Sequence, residues 1–173
     1  MTVEYTVIEK VPSAEAFCHL RVAAGMSPRP LEGARAGLPH SCYGVHILWQ
    51  ETPIAMGRIV GDGAINFDIV DVAVDPAHQG KGLGRLVMEK LVAWLDANAF
   101  DGAYVTLVAD VPELYAKFGF ESVRPRARGW PASGEPAVVS SHFLPGKERC
   151  PNGNSSYGAF LTMLNAIHIA RIP

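Results

Sequence analysis

Cysteine is scarce in this chain. Cys18, Cys42 and Cys150 are the only three in 173 residues, and no two of them form a C-x-x-C pair. An odd number at wide spacing excludes a disulfide framework and offers no zinc ligand set, so the three read as thiols packed for structure and no metal is expected. Charge is sparse as well, at 18% of residues, and 15 Lys and Arg against 17 Asp and Glu leave a formal net charge of -2 with no basic block. That excludes the electrostatic footprint of a nucleic-acid or anionic-membrane partner. No apolar run reaches the roughly 18 to 20 residues that span a bilayer, and Met1 to Tyr5 carry neither a basic start nor the apolar centre of a signal segment. A soluble cytoplasmic protein is the expectation. What the chain does have is 49% hydrophobic residues, enough for one buried core at this length.

Periodicity predicts a strand over 3–8, then a helix from Ala14 to Ala24 capped by Ser13, broken by Gly25 to Pro30, with a short helical piece over 31–36. Tyr43 to Trp49, Ile54 to Val60 and Ile65 to Val74 read as three strands of an antiparallel meander, joined by turns at 50–53 and 61–63. From Gly82 to about Ala97 the residues Leu83, Leu86, Val87, Leu91, Trp94 and Leu95 recur at helical spacing and define one buried face. Tyr104 to Val108 is a compact strand. Pro112 to Phe118 follows as a short helix with Pro in its first turn, and Gly119 is its C-cap. Residues 124–151 mix Pro, Gly, Ser and Arg without either period, and an apolar pattern returns only over 159–172.

Between the third strand and the long helix lies Val-Asp-Pro-Ala-His-Gln-Gly-Lys-Gly-Leu-Gly, residues 74–84. Glycines at 80, 82 and 84 keep side chains away while backbone N–H groups and a helix N-terminus converge on one place, which suits a pyrophosphate without a metal. A P-loop is excluded because no Ser or Thr follows a suitable Gly-Lys, and a dinucleotide fingerprint fails because Arg85 stands where its third glycine belongs. Gln79-x-x-Gly82-x-Gly84 resembles the acyl-CoA loop of the GCN5-related N-acetyltransferase (GNAT) superfamily. Leu114-Tyr115-Ala116-Lys117-Phe118-Gly119-Phe120, 30 residues after Gly84, resembles the superfamily's second signature. The resemblance covers residues 3–123 and is specific over 65–120. It implies an α/β (mixed α+β) GNAT fold, an antiparallel meander followed by a β-loop-α-β-α acyl-CoA-binding unit, over residues 1–124. Residues 125–173 are set apart as a divergent extension, with Ser122-Val123 and 137–139 offering the closing strands.

Acetyl-CoA, as acyl donor, is the co-substrate that the resemblance implies. Backbone of Val72, Ala73 and Val74 would pair with the pantetheine arm, Gln79, Gly80, Lys81, Gly82, Leu83, Gly84 and Arg85 would hold the pyrophosphate, and Asp110 and Lys117 would add further contacts. The resemblance makes Tyr115 the acid that protonates the leaving thiolate. The amine's proton goes to a carboxylate on the third strand, where Asp68 and Asp71 are both candidates. Strict alternation sends their side chains to opposite faces, unless a bulge intervenes. The structural alternative for either is an ion pair with an arginine such as Arg58. His78, just before the loop, reads as a solvated side chain.

The acceptor side falls on Gly25 to His40, with Ser27 and Arg29 as its substrate-binding candidates. The implied activity is N-acetylation of a small-molecule primary amine by direct attack on the thioester. The alternative is a non-catalytic relative that binds acyl-CoA. A homodimer is compatible with the sequence.

Overall fold

Alternating apolar positions build four consecutive antiparallel strands, β1 (Tyr5–Ile8), β2 (Tyr43–Trp49), β3 (Thr52–Gly61) and β4 (Asn66–Val74). The structure, a computed structural model, describes residues 5–108, 112–122 and, as backbone, 139–143. The β2–β3 hairpin turns on Gln50 and Glu51, both at positive φ (48° and 65°), the two-residue turn whose twist matches paired strands. Strand β3 therefore starts at Thr52, earlier than expected. It takes in Pro53 where the register slips opposite Ile47 and Leu48, an irregularity that tolerates a residue without an N–H. At the next turn the Asp62 carboxylate accepts N–H bonds from Ala64, Ile65 and Asn66 (2.8, 2.9 and 3.1 Å), which hold its pKa well below the usual carboxylate range.

The sheet runs β1-β2-β3-β4-β5-β7-β6. Strand β5 (Tyr104–Val108) lies parallel to β4, whereas β7 (Val139–Phe143) and β6 (Glu121–Ser122) close the far edge antiparallel. The paired strand β7 thus comes from the stretch that the sequence reading sets apart as an extension. Asp110, Cys150 and the apolar pattern over 159–172 lie outside the described residues.

Helix α3 (Leu83–Asn98) covers one face of the sheet. It buries Leu83, Val87, Met88, Leu91 and Leu95 in a core shared with Val45, Ile47, Ile59 and Ile69, about 1.5 to 3 kcal/mol for each large side chain. Close approach depends on Gly57, where a Cβ would stand 2.6 Å from Val87 Cγ1 and 2.9 Å from Leu91 Cδ1. The other face carries α1 (Ala14–Ala23), whose N-cap Ser13 accepts the Ala16 N–H at 3.2 Å, and α2 (Leu31–Gly37). Phe17 and Leu20 of α1, Ala34 of α2 and Leu38 just after it pack on Met56 and Ala73. Helix α4 (Pro112–Ala116) stops two residues short of the expected Phe118, and residues 117–119 form a turn in which Gly119, at a φ of 82°, sends Phe120 back into the core.

Candidate active site

Strands β4 and β5 form a fork. They pair over four rungs, Asn66 with Tyr104 through Ile69 with Leu107, and β4 then runs on to Val74 with no further rung to β5. A bulge accompanies the parting: Met56 faces Ala73 and Arg58 faces Val70, so Gly57 alone answers both Asp71 and Val72. Asp71 takes a left-handed φ of 57° there, and the extra residue bends and twists the strand. The bulge corrects the expectation from strict alternation. Asp71 is turned to the face covered by α1, the same face to which Asp68 points, rather than across the sheet from it.

The two carboxylates fare differently. Asp71, with only 8% of its side chain exposed, is held by the buried Arg21 through Nη1 and by Arg58 through Nε at 2.5 Å. Arg21 also donates from Nε and Nη2 to the Ser27 carbonyl (3.1 and 2.9 Å), which ties the turn after α1 to the bulge. Both guanidinium carbons lie 5.7 Å from the centre of the Phe17 ring. Asp68 has no arginine donor among the described residues. Its Oδ1 accepts from Thr106 Oγ1 at 3.0 Å, across the third of the four rungs, one before the last. Burial pushes the Asp68 pKa up, the hydrogen bond from Thr106 opposes that, the nearby Asp71 charge adds to it, and Arg58 pulls it down. Asp68 is thus a half-buried carboxylate beside the fork, with a pKa raised by its burial, and perturbed carboxylates of this kind are candidates for proton transfer.

Beyond the vertex the polar backbone is open. The Asp75 N–H donates to the Ile54 carbonyl at 2.8 Å, which makes Ala55 and Val74 a non-hydrogen-bonded pair. The N–H and C=O of Val74 therefore point away from β3, into the fork, and Gln79 Nε2 reaches back to that carbonyl at 3.0 Å. Gly80 and Gly82 stand at φ of 73° and 80°, a conformation costing an L side chain about 1 to 2 kcal/mol. Gly82 is the N-cap of α3, and no side chain among the described residues caps that helix. Leu86 is the first residue to bond back, to the Gly82 carbonyl at 3.0 Å, so the N–H groups of Leu83, Gly84 and Arg85 are left for a ligand. Backbone donors at a helix N-terminus beside an open strand edge fit the pyrophosphate and pantetheine of acetyl-CoA. Gly84 needs no special φ, and a Cβ there would make only ordinary contacts at 3.6 Å or more. Lys81 and Arg85 are exposed and turned to local partners, the Ala77 carbonyl (3.2 Å) and Glu89 (2.8 Å).

Tyr115 is buried on α4 among the residues that pack under α3, and Lys117 is exposed. Ser27 takes part through its carbonyl, Arg29 is exposed, and Asp110 lies outside the described residues. His78 corrects an expectation: it is 8% exposed rather than solvated, with the Tyr5 hydroxyl 3.3 Å from Nδ1 and the Trp49 ring centre at 4.9 Å. The 3₁₀ turn at Pro76–His78 folds the imidazole back over β1 and β2. Cys18 and Cys42 are free, half-buried thiols facing the carbonyls of Arg29 and Gly61.

Three residues at the fork carried no role in the sequence reading: Arg21, Ser41 and Thr106. Arg21 had a signal, because it sits four residues after Phe17 and directly after Leu20 on the apolar side of a helix, where a lone arginine calls for a buried partner. Ser41, which accepts from Arg58 Nη1 at 3.2 Å, and Thr106 depend on strand register and had none.

A family model described as "Acetyltransferase (GNAT) family" matches residues 13–120. A rice protein named serotonin N-acetyltransferase 2, chloroplastic, is 36% identical over 104 residues, which make up 56% of this chain and 50% of that protein. A soybean protein named histone acetyltransferase TAP1 is 44% identical over 75 residues (42% and 32%). An Arabidopsis thaliana protein named GCN5-related N-acetyltransferase 1, chloroplastic, is 32% identical over 102 residues (58% and 52%). The chain thus spans a third to a half of the length of these relatives. Among solved structures, a protein of unknown function from meticillin-resistant Staphylococcus aureus, described as a probable acetyltransferase, shares 38% identity at a TM-score of 0.71 over 74% of this chain and 98% of that one. The Escherichia coli GNAT-family protein YhbS, solved with CoA, shares the fold at 19% identity and a TM-score of 0.61 over 84% and 89%. The mixed sheet expected from the sequence is the fold these structures share. The cytoplasmic expectation does not stand, because the rice and Arabidopsis relatives are named chloroplastic. Composition and charge describe a folded domain, and they are the same for such a domain in either compartment.

Proposed function

Because the chain belongs to the acetyltransferase (GNAT) family, we propose that it transfers an acetyl group from acetyl-CoA to the primary amine of a small molecule, by direct attack on the thioester. The observation that carries this reading is the fork, where an open strand edge, an uncapped helix N-terminus and a half-buried carboxylate meet.

An alkylammonium of pKa near 10.4 is neutral in only about one molecule in a thousand at pH 7.4, a cost of about 4 kcal/mol. Asp68 meets that cost by taking the proton, directly or through a water. It suits the task better than Asp71 because both oxygens of Asp71 are engaged by arginines, whereas Asp68 has a single hydroxyl donor. As the amine nitrogen bonds to the acyl carbon and the C–S bond breaks, the leaving thiolate needs a proton. Tyr115 supplies it. A phenol of pKa about 10 giving its proton to a thiolate of conjugate pKa about 8.5 is uphill by about 2 kcal/mol, within reach of a charge-assisted hydrogen bond. The backbone of Val72 to Val74 and of residues 79–85 binds and orients the donor, with Lys81, Arg85 and Lys117 as auxiliary contacts. No cysteine takes part.

The test is product identification. Acetyl-CoA labelled in its acetyl carbonyl is mixed with primary amines, and the reading expects N-acetyl amide and CoA in equal amounts. Acetyl-CoA that binds yet yields no amide from any amine would leave a non-catalytic acyl-CoA-binding protein.

A further inference from the structure

The acceptor side carries a cavity of about 290 Å³ between α1, the 29–30 turn, α2 and β3. Its walls are Phe17, Pro30, Ala34 and Leu38, with Gly33 and Gly37 leaving the face of α2 bare, and its two polar lining residues are both arginines, Arg29 and Arg58. Arg58 spends Nε on Asp71 and Nη1 on Ser41, and its Nη2 has no partner among the described residues. Arg29 is exposed and has no carboxylate partner among them. Phe17 and Arg58 are shared by the cavity and the bulge, where Gly57 and Asp71 pack against them, and Arg58 is close enough to Asp68 to pull its pKa down.

Charge decides what the cavity accepts. Three guanidiniums, of Arg21, Arg29 and Arg58, stand against two carboxylates, Asp71 and the Asp68 that feels the charges of both Asp71 and Arg58. Glu32 lies off the lining face of α2 and shares Arg35 with Glu15. One positive charge is left over at the cavity, which suits a monoanion better than a dianion. Resting on the acetyl-transfer reading above, we propose that the cavity holds the carboxylate end of a small amino acid-like acceptor, gripped by Arg29 and Arg58 while its amine reaches toward Asp68. A guanidinium fork matches a carboxylate in plane and in charge, and the apolar walls take the aliphatic stem.

The test uses the full chain and three amines of similar length: 4-aminobutyrate, butylamine and 3-aminopropylphosphonate, the last a dianion at pH 8.5. Calorimetry reads binding, and CoA release reads turnover. Because a charged hydrogen-bonded contact contributes about 10- to 100-fold in affinity, 4-aminobutyrate is expected to lead butylamine in kcat/KM by at least tenfold, and Arg29→Gln to erase most of that lead. Gly37→Leu gives a fold-safe second variant: its Cβ meets nothing within 4 Å at an ordinary helical φ, so the side chain fills the cavity and blocks 4-aminobutyrate. Equal turnover of 4-aminobutyrate and butylamine overturns the carboxylate site and leaves the acetyl-transfer reading standing. A lead for the phosphonate overturns the monoanion assignment. Arg29-dependent binding of 4-aminobutyrate without CoA release from any amine supports the site and overturns acetyl transfer. Neither binding nor turnover overturns both.

Discussion

Arg58 donates from Nε to Asp71 Oδ2 at 2.5 Å, on a carboxylate that Arg21 also binds from the helix above. Removing the charge of Asp71 leaves two guanidiniums facing each other with little solvent, and breaking a buried pair of this kind costs about 3 to 5 kcal/mol. Asp71→Asn is expected to lower the unfolding free energy by about that amount in a urea titration. A loss below about 1 kcal/mol together with abolished turnover would move Asp71 from holding the bulge to the chemistry.

At the cradle, Gly82→Ala strains a residue at φ 80°, and Gly82→Asp adds a negative charge where α3 offers its free N–H groups. Calorimetry should find acetyl-CoA affinity weakened moderately by the first and abolished by the second, with the thermal midpoint lowered by a similar few degrees in both, because both pay the same backbone strain. Unchanged binding in Gly82→Asp would remove residues 79–85 from the donor site.

Tyr115→Phe deletes only a hydroxyl from a buried ring. General acid help is worth about a hundred- to ten-thousandfold at most, so a fall in kcat of about ten- to a thousandfold with unchanged acetyl-CoA affinity is the expected result. An unaltered kcat would make Tyr115 a packing residue.

Burial and the neighbouring Glu9 push the Tyr43 phenol up to about 12. A group whose folded pKa lies above its unfolded value stabilises the fold fully below the unfolded pKa and loses that contribution as pH rises through the folded one. Stability is therefore expected to fall between about pH 10 and 12, in step with a late tyrosinate absorbance, and Glu9→Gln should move that absorbance to lower pH. A Tyr43 signal already complete near pH 10 would contradict the packing seen at this site.

Much of the fold is legible because it follows local rules. Tyr43–Trp49 and Tyr104–Val108 appear as read, Ser13 caps α1, and the glycines at 80 and 82 sit at positive φ as a cradle requires. What escapes the sequence is set by register. The bulge at Asp71 uses no glycine, so nothing local announces that two carboxylates three positions apart share a face. The partnership of Asp68 with Thr106 needs the parallel pairing of β4 with β5, a contact across 38 positions of chain. His78 reads as a loop residue, yet aromatic rings from β1 and β2 enclose it. In each case tertiary pairing overrides the local pattern.

The most direct test of the account is the pH dependence of kcat/KM for Asp68→Asn beside the wild type, with one primary amine and saturating acetyl-CoA. Because burial raises the Asp68 pKa, the wild-type rate should fall on the acid side through a pKa above the ordinary carboxylate range. Thr106→Val, which removes a hydrogen bond to the ionised form, should push that limb to higher pH. In Asp68→Asn the limb should vanish, the rate at neutral pH should fall about a hundred- to ten-thousandfold, and the deficit should shrink as pH approaches the amine pKa. A variant that keeps the wild-type rate and profile would contradict the assignment of the proton to Asp68 and leave bulk water to take it.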